Sequence, residues 1–226
     1  MKQVIDFLNN LQENNYREWF EDNKSDYKEA QRIFNNTVDR LIQGITSFDP
    51  SVGRLTAKEC TFRIYRDVRF SKNKLPYKTH MGAFISQYGR GSGYSGYYFH
   101  VEAHSANYIG GHILSTGVYR PAPVALKSIR EEIFLNGEDF QTTISKAKNF
   151  NIEMSDALKR VPMGYPADFK YAEYLKLKNY FITRFVDENW MTSDDLIERS
   201  VKEYQTTKEF HDLLNKAINY AFDIDV

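Results

Sequence analysis

The chain has 226 residues, of which 42% are hydrophobic and 27% are charged, and its 30 basic residues balance its 30 acidic ones. A formal net charge of zero argues against a protein that is drawn to nucleic acid or anionic membranes by its overall charge. The mean hydropathy of -0.58 and the lack of a long apolar run argue against a membrane-spanning helix. The first ten residues lack the apolar stretch of a signal peptide, and one cysteine cannot form an internal disulfide. We therefore expect a cytoplasmic protein.

The first fifty residues have the spacing of amphipathic helices. Apolar residues form one short face in residues 4–11, and in residues 25–45 they recur every three or four positions. This period lays a stripe along one side of an α-helix. We expect a short helical piece capped by Asn14 or Asn15 between the two, and an end of the long helix at Asp49-Pro50.

The middle of the chain has the alternation of β-strands. In residues 97–104 every second residue is apolar, residues 81–85 repeat the pattern, and a third apolar run covers residues 109–114. The connections are too short for parallel crossovers, so antiparallel hairpins are expected. Residues 91–96 match G-x-G-x-x-G, but a strand pattern follows instead of a helix. The match therefore predicts a hairpin loop and not a dinucleotide-binding turn.

Further elements follow after the hairpins. Pro121 is placed at a first helical position, and Gly137 stands where a C-cap glycine is expected. Residues 175–185 suggest a late strand. Two closing helices are expected from capping-box patterns that begin at Thr192 and Thr206.

These elements predict the fold class. Helices at both ends enclose a run of hairpins, which is the pattern of an α+β protein. We expect one α+β domain over residues 1–226, with an antiparallel sheet of about five strands flanked by N-terminal and C-terminal helices. No internal repeat and no linker rich in proline, glycine or serine divides the sequence.

Two weaker chemical motifs favour ordinary structural roles. His100 and His104 resemble a zinc-binding pair, but on a strand they lie ~13 Å apart at ~3.3 Å per residue, too far for one ion. A metal would need further ligands such as His112. Cys60 has no recognisable base partner and is expected to be a small apolar residue. The sequence predicts neither a metal nor a cofactor.

Basic residues are concentrated between Arg54 and His80, where eight of them accompany two acidic residues. Aromatic residues alternate with these cations. Arginine grips phosphate or carboxylate oxygens in pairs, and aromatic rings stack on bases or sugars. The alternative is a solvated charged segment that pairs with acidic helices.

The basic segment also carries a family resemblance. Residues 58–80, with the run RIYRDVRFSKNKLPYKTH, resemble the signature of an uncharacterised bacterial and fungal family, a domain of unknown function (DUF2461-like). Residues 14–20, 97–102, 109–111 and 162–166 are similar to further segments of that family. The resemblance spans nearly the whole chain. It implies one domain and no established activity.

The expected fold of the basic segment depends on where the charged side chain of Arg66 lies. If residues 62–70 form a strand, Arg66 lies on the apolar face and needs a carboxylate such as Glu102. If the strand ends early, the segment bends into a loop, which residues 71–76 favour because Leu75 precedes a proline. A bent, cation-lined loop beside a sheet would form an anion pocket.

Alternation gives one sheet face an unusual set of cations, rings and titratable groups. It carries residues of the 63–69 segment, together with Tyr98, His100 and Glu102. Lys178 and Tyr180 join this face if the late strand joins the sheet. The leading hypothesis is that a small anionic ligand, phosphorylated or carboxylated, binds here. The expected ligand-binding residues are Arg63, Arg66, Arg69, Lys74, Tyr77 and Lys78.

Two other functions stay open at this point. The same surface would serve an enzyme that acts on a phosphorylated substrate, with Asp67, His100 or Glu102 as acid or base. A protein-interaction module would instead dock an acidic partner on the basic segment. Nucleic acid is the less favoured ligand because the basic segment is short and the net charge is zero. Residue types do not fix the oligomeric state.

Overall fold

The computed structural model describes residues 1–104, 106 and 108–222. Within those residues, no helix combines the length and the apolar content that crossing a bilayer requires. The helices are α1 (Lys2–Glu13), α2 (Arg17–Asp22), α3 (Lys24–Thr46), α4 (Ala57–Cys60), α5 (Pro123–Leu135), α6 (Gly137–Lys146), α7 (Ala172–Leu175), α8 (Glu188–Thr192), α9 (Leu196–Thr206) and α10 (Lys208–Ala221), with a 3-10 turn at Pro50–Val52.

The strands form a five-stranded sheet in the order β1-β2-β3-β5-β4, and every neighbouring pair is antiparallel. Short connections between β1, β2 and β3 make two successive hairpins, and residues 91–95 lie in the first loop, with Gly96 as the first residue of β2. The predicted α+β class, with an antiparallel sheet of about five strands, is confirmed. The strands are β1 (His80–Ile85), β2 (Gly96–Glu102), β3 (His112–Val118), β4 (Asn151–Ile152) and β5 (Tyr180–Val186).

The two faces of β2 have different roles. Tyr97, Phe99 and Val101 are fully buried in the hydrophobic core. Helices α1, α3, α9 and α10 pack on this side of the sheet. Burial of each large apolar side chain contributes about 1.5–3 kcal/mol, so these residues fix which face of β2 turns inward. Tyr98, His100 and Glu102 consequently line the opposite face.

The N-terminal helices follow the predicted stripes. Val4, Ile5, Leu8 and Leu11 of α1 are fully buried. Helix α3 buries its own stripe from Tyr27 to Ile45 against the same core. The long helix ends just before Asp49-Pro50, as predicted.

A buried polar cluster lies on the helical side of the sheet. The Tyr97 hydroxyl donates a hydrogen bond to the Asp49 carboxylate at 2.9 Å, and the Ser51 hydroxyl donates to its other oxygen at 2.6 Å. His211 Nε2 lies 3.2 Å from the same carboxylate. Burial alone would raise the pKa of Asp49, but the bonds from His211 and Ser51 hold it well below its usual value. The cluster therefore ties α10 to the segment after α3.

Several predicted boundaries in the second half of the chain are displaced. Helix α5 begins at Pro123 instead of Pro121, and Thr207, not Thr206, precedes α10. Gly137 directly follows Asn136, the C-cap of α5, and is the first residue of α6; the Tyr171 ring lies 2.2 Å from where a Cβ would be, so the position requires glycine. Thr192 ends α8, and Asp195 stands at the N-terminus of α9. Residues 172–175 are helical, so the late strand starts only at Tyr180.

Candidate functional site

Residues 61–79, named here the basic hairpin, fold back on themselves instead of forming one strand. Thr61 bridges to Ala83 of β1, and Tyr65 bridges to Tyr77. Two further backbone bonds, from Lys78 N–H to the Ile64 carbonyl and from Arg66 N–H to the Pro76 carbonyl, hold the two arms together. Of the two alternatives, the continuous strand over residues 62–70 is wrong, and the bend favoured by residues 71–76 is what the structure shows.

Arg66 is satisfied by the hairpin itself. Its guanidinium donates to the Leu75 carbonyl at 3.1 Å and to the Ser71 hydroxyl at 3.4 Å. The alternative in which Glu102 pairs with it is wrong, because the bend brings backbone and hydroxyl oxygens to a half-buried guanidinium. Arg66 therefore has a structural role in closing the hairpin.

Three more of the predicted ligand-binding residues have partners inside the protein. Arg69 forms an exposed ion pair with Asp67 at 2.6 Å. Lys74 donates to the Val68 carbonyl at 3.0 Å. Tyr77 is buried and stacks on Phe20 with the ring centroids 3.9 Å apart. These partners within the protein already occupy the three side chains.

Arg63 and Lys78 remain and lie near each other; we name this pair the cation corner. The pKa of Lys78 is lowered by burial and by the nearby charge of Arg63. Lys78 Nζ lies 5.8 Å from the centre of the Phe62 ring, which in turn contacts the Tyr98 ring at 6.4 Å. In the part of the chain that the structure describes, neither cation has a carboxylate oxygen within 4.0 Å.

Beside the cation corner, three side chains of β2 form a hydrogen-bonded line; we name it the Tyr–His–Glu array. The Tyr98 hydroxyl lies 2.8 Å from His100 Nδ1, and His100 Nε2 lies 3.0 Å from Glu102 Oε2. Alternation places the three residues on one face of one strand. Of the candidate acids and bases, His100 and Glu102 are thus brought together, whereas Asp67 lies at the surface with Arg69.

Glu102 is the anchor of this array. Its carboxylate accepts backbone N–H bonds from Tyr108 at 2.8 Å, from Ile109 at 3.1 Å and from Gly110 at 3.3 Å. Burial alone would raise the pKa of Glu102, but the bonds from His100 and from the Tyr108 N–H lower it below its usual value. The carboxylate is therefore ionised at neutral pH and holds the loop before β3 in place.

The charge on Glu102 sets the direction of the hydrogen bonds. An ionised carboxylate only accepts, so His100 donates its Nε2 proton to Glu102. In a neutral imidazole the other nitrogen is then an acceptor, and the Tyr98 hydroxyl donates to Nδ1. Gly82 of β1 makes room for this hydroxyl, because a Cβ there would lie 2.6 Å from the Tyr98 oxygen.

His80 and Tyr108 border the array. The His80 ring stacks on Tyr108 with centroids 4.2 Å apart and lies 4.9 Å from the His100 ring. Burial, and then the neighbouring His100 and Lys78, lower the pKa of His80 to about 3. Its Nδ1 is buried and has no hydrogen-bond partner among the described residues. A buried polar atom beside the array is thus left without a partner among the described residues.

The lowered pKa of His80 predicts a pH-dependent stability. The unfolded chain binds a proton near pH 6.5 and the folded chain only near pH 3, so stability falls as the pH falls between these values. The slope is at most about 1.4 kcal/mol per pH unit, and screening at this half-buried ring reduces it. Urea denaturation measures the free energy of unfolding at each pH. Between about pH 6.5 and 4.5, we expect this free energy to fall by roughly 1–2 kcal/mol less in His80→Gln than in the wild type. Equal slopes for variant and wild type would contradict this assignment.

The remaining sequence candidates lie apart from the array. Lys178 pairs with Asp156 at 2.7 Å, and Tyr180 is buried on the core side, so their predicted membership of this face is wrong. In β5, Thr183 pairs with Ser115 of β3, and Ser115 pairs with Tyr98 of β2. Thr183 therefore lies on the same face of the sheet as Tyr98. The cause is the register of β5, which starts after Lys178.

The histidines and the cysteine also have separate roles. His104 pairs with Glu188 at the surface, and the His112 ring accepts the N–H of Glu102 at 3.1 Å. Among the described residues, no three histidine, cysteine, aspartate or glutamate side chains are grouped as metal ligands would be. Cys60 is fully buried, and burial raises the pKa of its thiol to about 12, as expected of a small core residue.

Two open depressions lie elsewhere on the protein. One, of about 390 Å³, is lined by α6 with Lys170 and Tyr171. The other, of about 280 Å³, lies between Tyr119 and Asp156. Their titratable side chains are at the surface, whereas the array joins a buried acid and a buried histidine to a half-buried tyrosine. The array and the cation corner are therefore the better candidate site.

The sheet, its flanking helices and this polar face define an α+β protein with a candidate site on the face of the antiparallel sheet opposite the N-terminal and C-terminal helices. Residues 3–213 match the family described as conserved hypothetical protein (DUF2461), and the chain belongs to that family. The resemblance of the basic segment is thereby confirmed at the level of the family. No curated protein and no solved structure matches the chain.

Proposed function

We propose that the protein binds a small anionic ligand, phosphorylated or carboxylated, at the cation corner beside the Tyr–His–Glu array. The observation that carries this proposal is the proximity of Arg63 and Lys78, neither of which has a carboxylate partner within 4.0 Å among the described residues. Two cations that lie side by side repel each other, and a bound anion removes that repulsion.

The surroundings of the cation corner support a small ligand. Lys78 is half-buried, and its ammonium lies over the Phe62 ring, so an anion there would be partly shielded from water. Charge-assisted hydrogen bonds are stronger where water is displaced. Tyr108, with 67% of its surface exposed, offers a ring to the non-ionic part of the ligand.

A small ligand is favoured over a nucleic-acid chain. Arg66, Arg69 and Lys74 already bind oxygens of the basic hairpin. Few cations then remain to follow a row of phosphates, and phosphate-chain binding depends on many such contacts. A cytoplasmic setting is part of the proposal, supported by a single cysteine that is buried and unpaired.

Titration calorimetry with phenyl phosphate and benzoate tests the proposal. We expect the wild type to bind at least one of them, and Arg63→Gln or Lys78→Gln to weaken binding about tenfold or more, as expected for loss of a charge-assisted bond. Lys72→Gln is the matched control, because Lys72 is an exposed lysine of the same hairpin. The two ligands separate a phosphorylated from a carboxylated preference.

The melting temperature of each variant shows whether folding is intact. Arg63 is exposed, so its replacement should leave the melting temperature nearly unchanged. The proposal is wrong if neither anion binds the wild type, or if Lys72→Gln weakens binding as much as the two cation-corner variants do.

A further inference from the structure

The smaller of the two depressions lies where β3 ends and β5 begins; we name it the Tyr119 pocket. Its volume of about 280 Å³ is close to the ~300 Å³ at which small-molecule pockets start, so it has room for one compact ligand. Glu102 lies at the other end of β3, beside His112, so the pocket is separate from the array. The pocket is lined by Tyr119, Glu153, Ser155, Asp156, Leu177, Lys178, Asn179 and Phe181.

Two aromatic rings form the apolar part of the pocket. The Tyr119 and Phe181 rings lie with their centroids 6.1 Å apart and their planes at 70°. Tyr119 is 61% exposed, so its ring keeps apolar surface in contact with water. A ligand with C–H groups on a flat face would cover that surface, which is favourable.

The loop that presents Tyr119 is held in an uncommon backbone conformation. Arg120 has a φ of +52°, and it is one of two non-glycine residues with a positive φ in the part of the chain that the structure describes. Its N–H donates to Asn179 Oδ1 at 2.7 Å. Such conformations persist where the surrounding structure fixes them, and they are common at ligand sites. Tyr119 is thereby held in place before a ligand arrives.

The polar groups of the pocket form a connected row. Lys178 Nζ lies 2.7 Å from Asp156 Oδ1, and the Asn179 amide donates to Asp156 Oδ2 at 3.3 Å. An ammonium and an amide carry more N–H groups than these bonds use, and the carboxylate oxygens have further lone pairs. Donors and acceptors therefore alternate along this wall with capacity left for a ligand.

The charges of the pocket are balanced. Its two carboxylates, Glu153 and Asp156, are offset by the Lys178 ammonium and by the adjoining Arg120 guanidinium. This guanidinium lies 5.1 Å from the centre of the Tyr119 ring. A site with balanced charges favours neither an anion nor a cation. It favours an uncharged ligand whose groups both donate and accept hydrogen bonds, as hydroxyl groups do.

We propose that the Tyr119 pocket binds an uncharged saccharide, with the C–H face of one sugar ring against Tyr119. The sugar hydroxyls bond to the row formed by Asp156, Lys178 and Asn179. A sugar ring has hydroxyls at its edge and C–H groups on its faces, and the pocket carries partners for both. The inference does not rest on the anion function, because the pocket shares no residue with the cation corner.

Saturation-transfer NMR with the full chain tests the proposal. The probes are the methyl glycosides of glucose, galactose, mannose and N-acetylglucosamine. We expect at least one of them to receive saturation from the protein, most strongly at the C–H protons of one ring face. Tyr119→Ala should weaken its binding about fivefold or more, the lower range for loss of an aromatic stacking contact. Tyr220→Ala is the matched control, because Tyr220 is 68% exposed and lies in α10.

A second variant tests the polar wall. Asp156→Asn keeps the shape of the side chain but removes its charge, and it should also weaken binding of the same glycoside. The side chain of Asp156 is 61% exposed, so loss of its ion pair with Lys178 should leave the melting temperature nearly unchanged. Wild-type affinity in Asp156→Asn would contradict the proposed bonds to the sugar hydroxyls.

Charged probes separate a saccharide from an ionic ligand. Choline, a cation of the kind that aromatic sites bind, and methyl glucuronide, an anion, should bind no more tightly than the neutral glycosides. If either binds more than about tenfold more tightly, the pocket takes an ion and the saccharide inference is wrong. The inference is also wrong if no neutral glycoside receives saturation, or if Tyr119→Ala weakens binding no more than Tyr220→Ala does.

Discussion

Glu102→Ala is expected to lower the free energy of unfolding by about 3–5 kcal/mol, the range found when one partner of a buried charged network is removed. The carboxylate is fully buried and accepts bonds from His100 and from the N–H groups of Tyr108, Ile109 and Gly110. Alanine leaves those donors without their acceptor and leaves a cavity beneath the loop. Urea denaturation at neutral pH measures the loss.

The matched control for this variant is Glu188→Ala. Glu188 also pairs with a histidine, His104, but its side chain is 40% exposed. Exposed ion pairs contribute about 0–1 kcal/mol, so this change should be small. Hydrogen exchange at Tyr108, Ile109 and Gly110 should accelerate only in Glu102→Ala. A loss below about 1 kcal/mol in that variant would show that Glu102 does not anchor the loop.

Gly117→Ala is expected to cost about 3–5 kcal/mol, since it combines backbone strain with overpacking. Gly117 has a φ of +142°, and a Cβ there would lie 2.1 Å from the Tyr180 carbonyl oxygen and 2.5 Å from the Phe181 Cα. These are backbone atoms of the neighbouring strand β5, so they move only if the sheet moves. A shift of the urea midpoint measures the effect.

Gly91→Ala tests whether the cost at Gly117 arises from its position. Gly91 lies in the loop between β1 and β2, and nothing lies within 4 Å of a Cβ added there. Where the native backbone accepts alanine, the change is neutral or stabilises by about 0.4–1 kcal/mol, because the unfolded chain loses freedom. Similar losses in both variants would mean that glycine itself, and not the close approach of β5, sets the stability.

The sequence predicted the sheet and the long helices because their periods are determined by burial. The stripe of α3 and the alternation of β2 each run over enough residues to be recognised. Helix boundaries were harder to predict, because a helix end carries no repeating pattern. The glycine at position 137 is required by the Tyr171 ring, which lies 2.2 Å from where a Cβ would be and is distant in sequence, so the contact leaves no local signal.

The candidate site was predictable only in part. Alternation places Tyr98, His100 and Glu102 on one face, so the array was within reach of sequence reasoning. The partners within the basic hairpin were not, because a bend that returns the chain to its own carbonyls depends on three-dimensional closure. Charge counting therefore overestimated how many cations are free to meet a ligand. The sequence analysis did not place His80 in the candidate site. His80 lies there because β1 pairs with β2 in a register that puts it directly opposite Glu102.

The two-residue period of β2 also separates the apolar side chains that set its register from the polar side chains of the array. Tyr97, Phe99 and Val101 fix the register, and a slip by one residue would place three polar side chains under the helices. Substitutions at Tyr98 therefore alter the polar face without changing how the strand is aligned. This strand is a suitable scaffold for redesign: new side chains at position 98 would be presented at a fixed place, next to a buried base, by a core that does not depend on them.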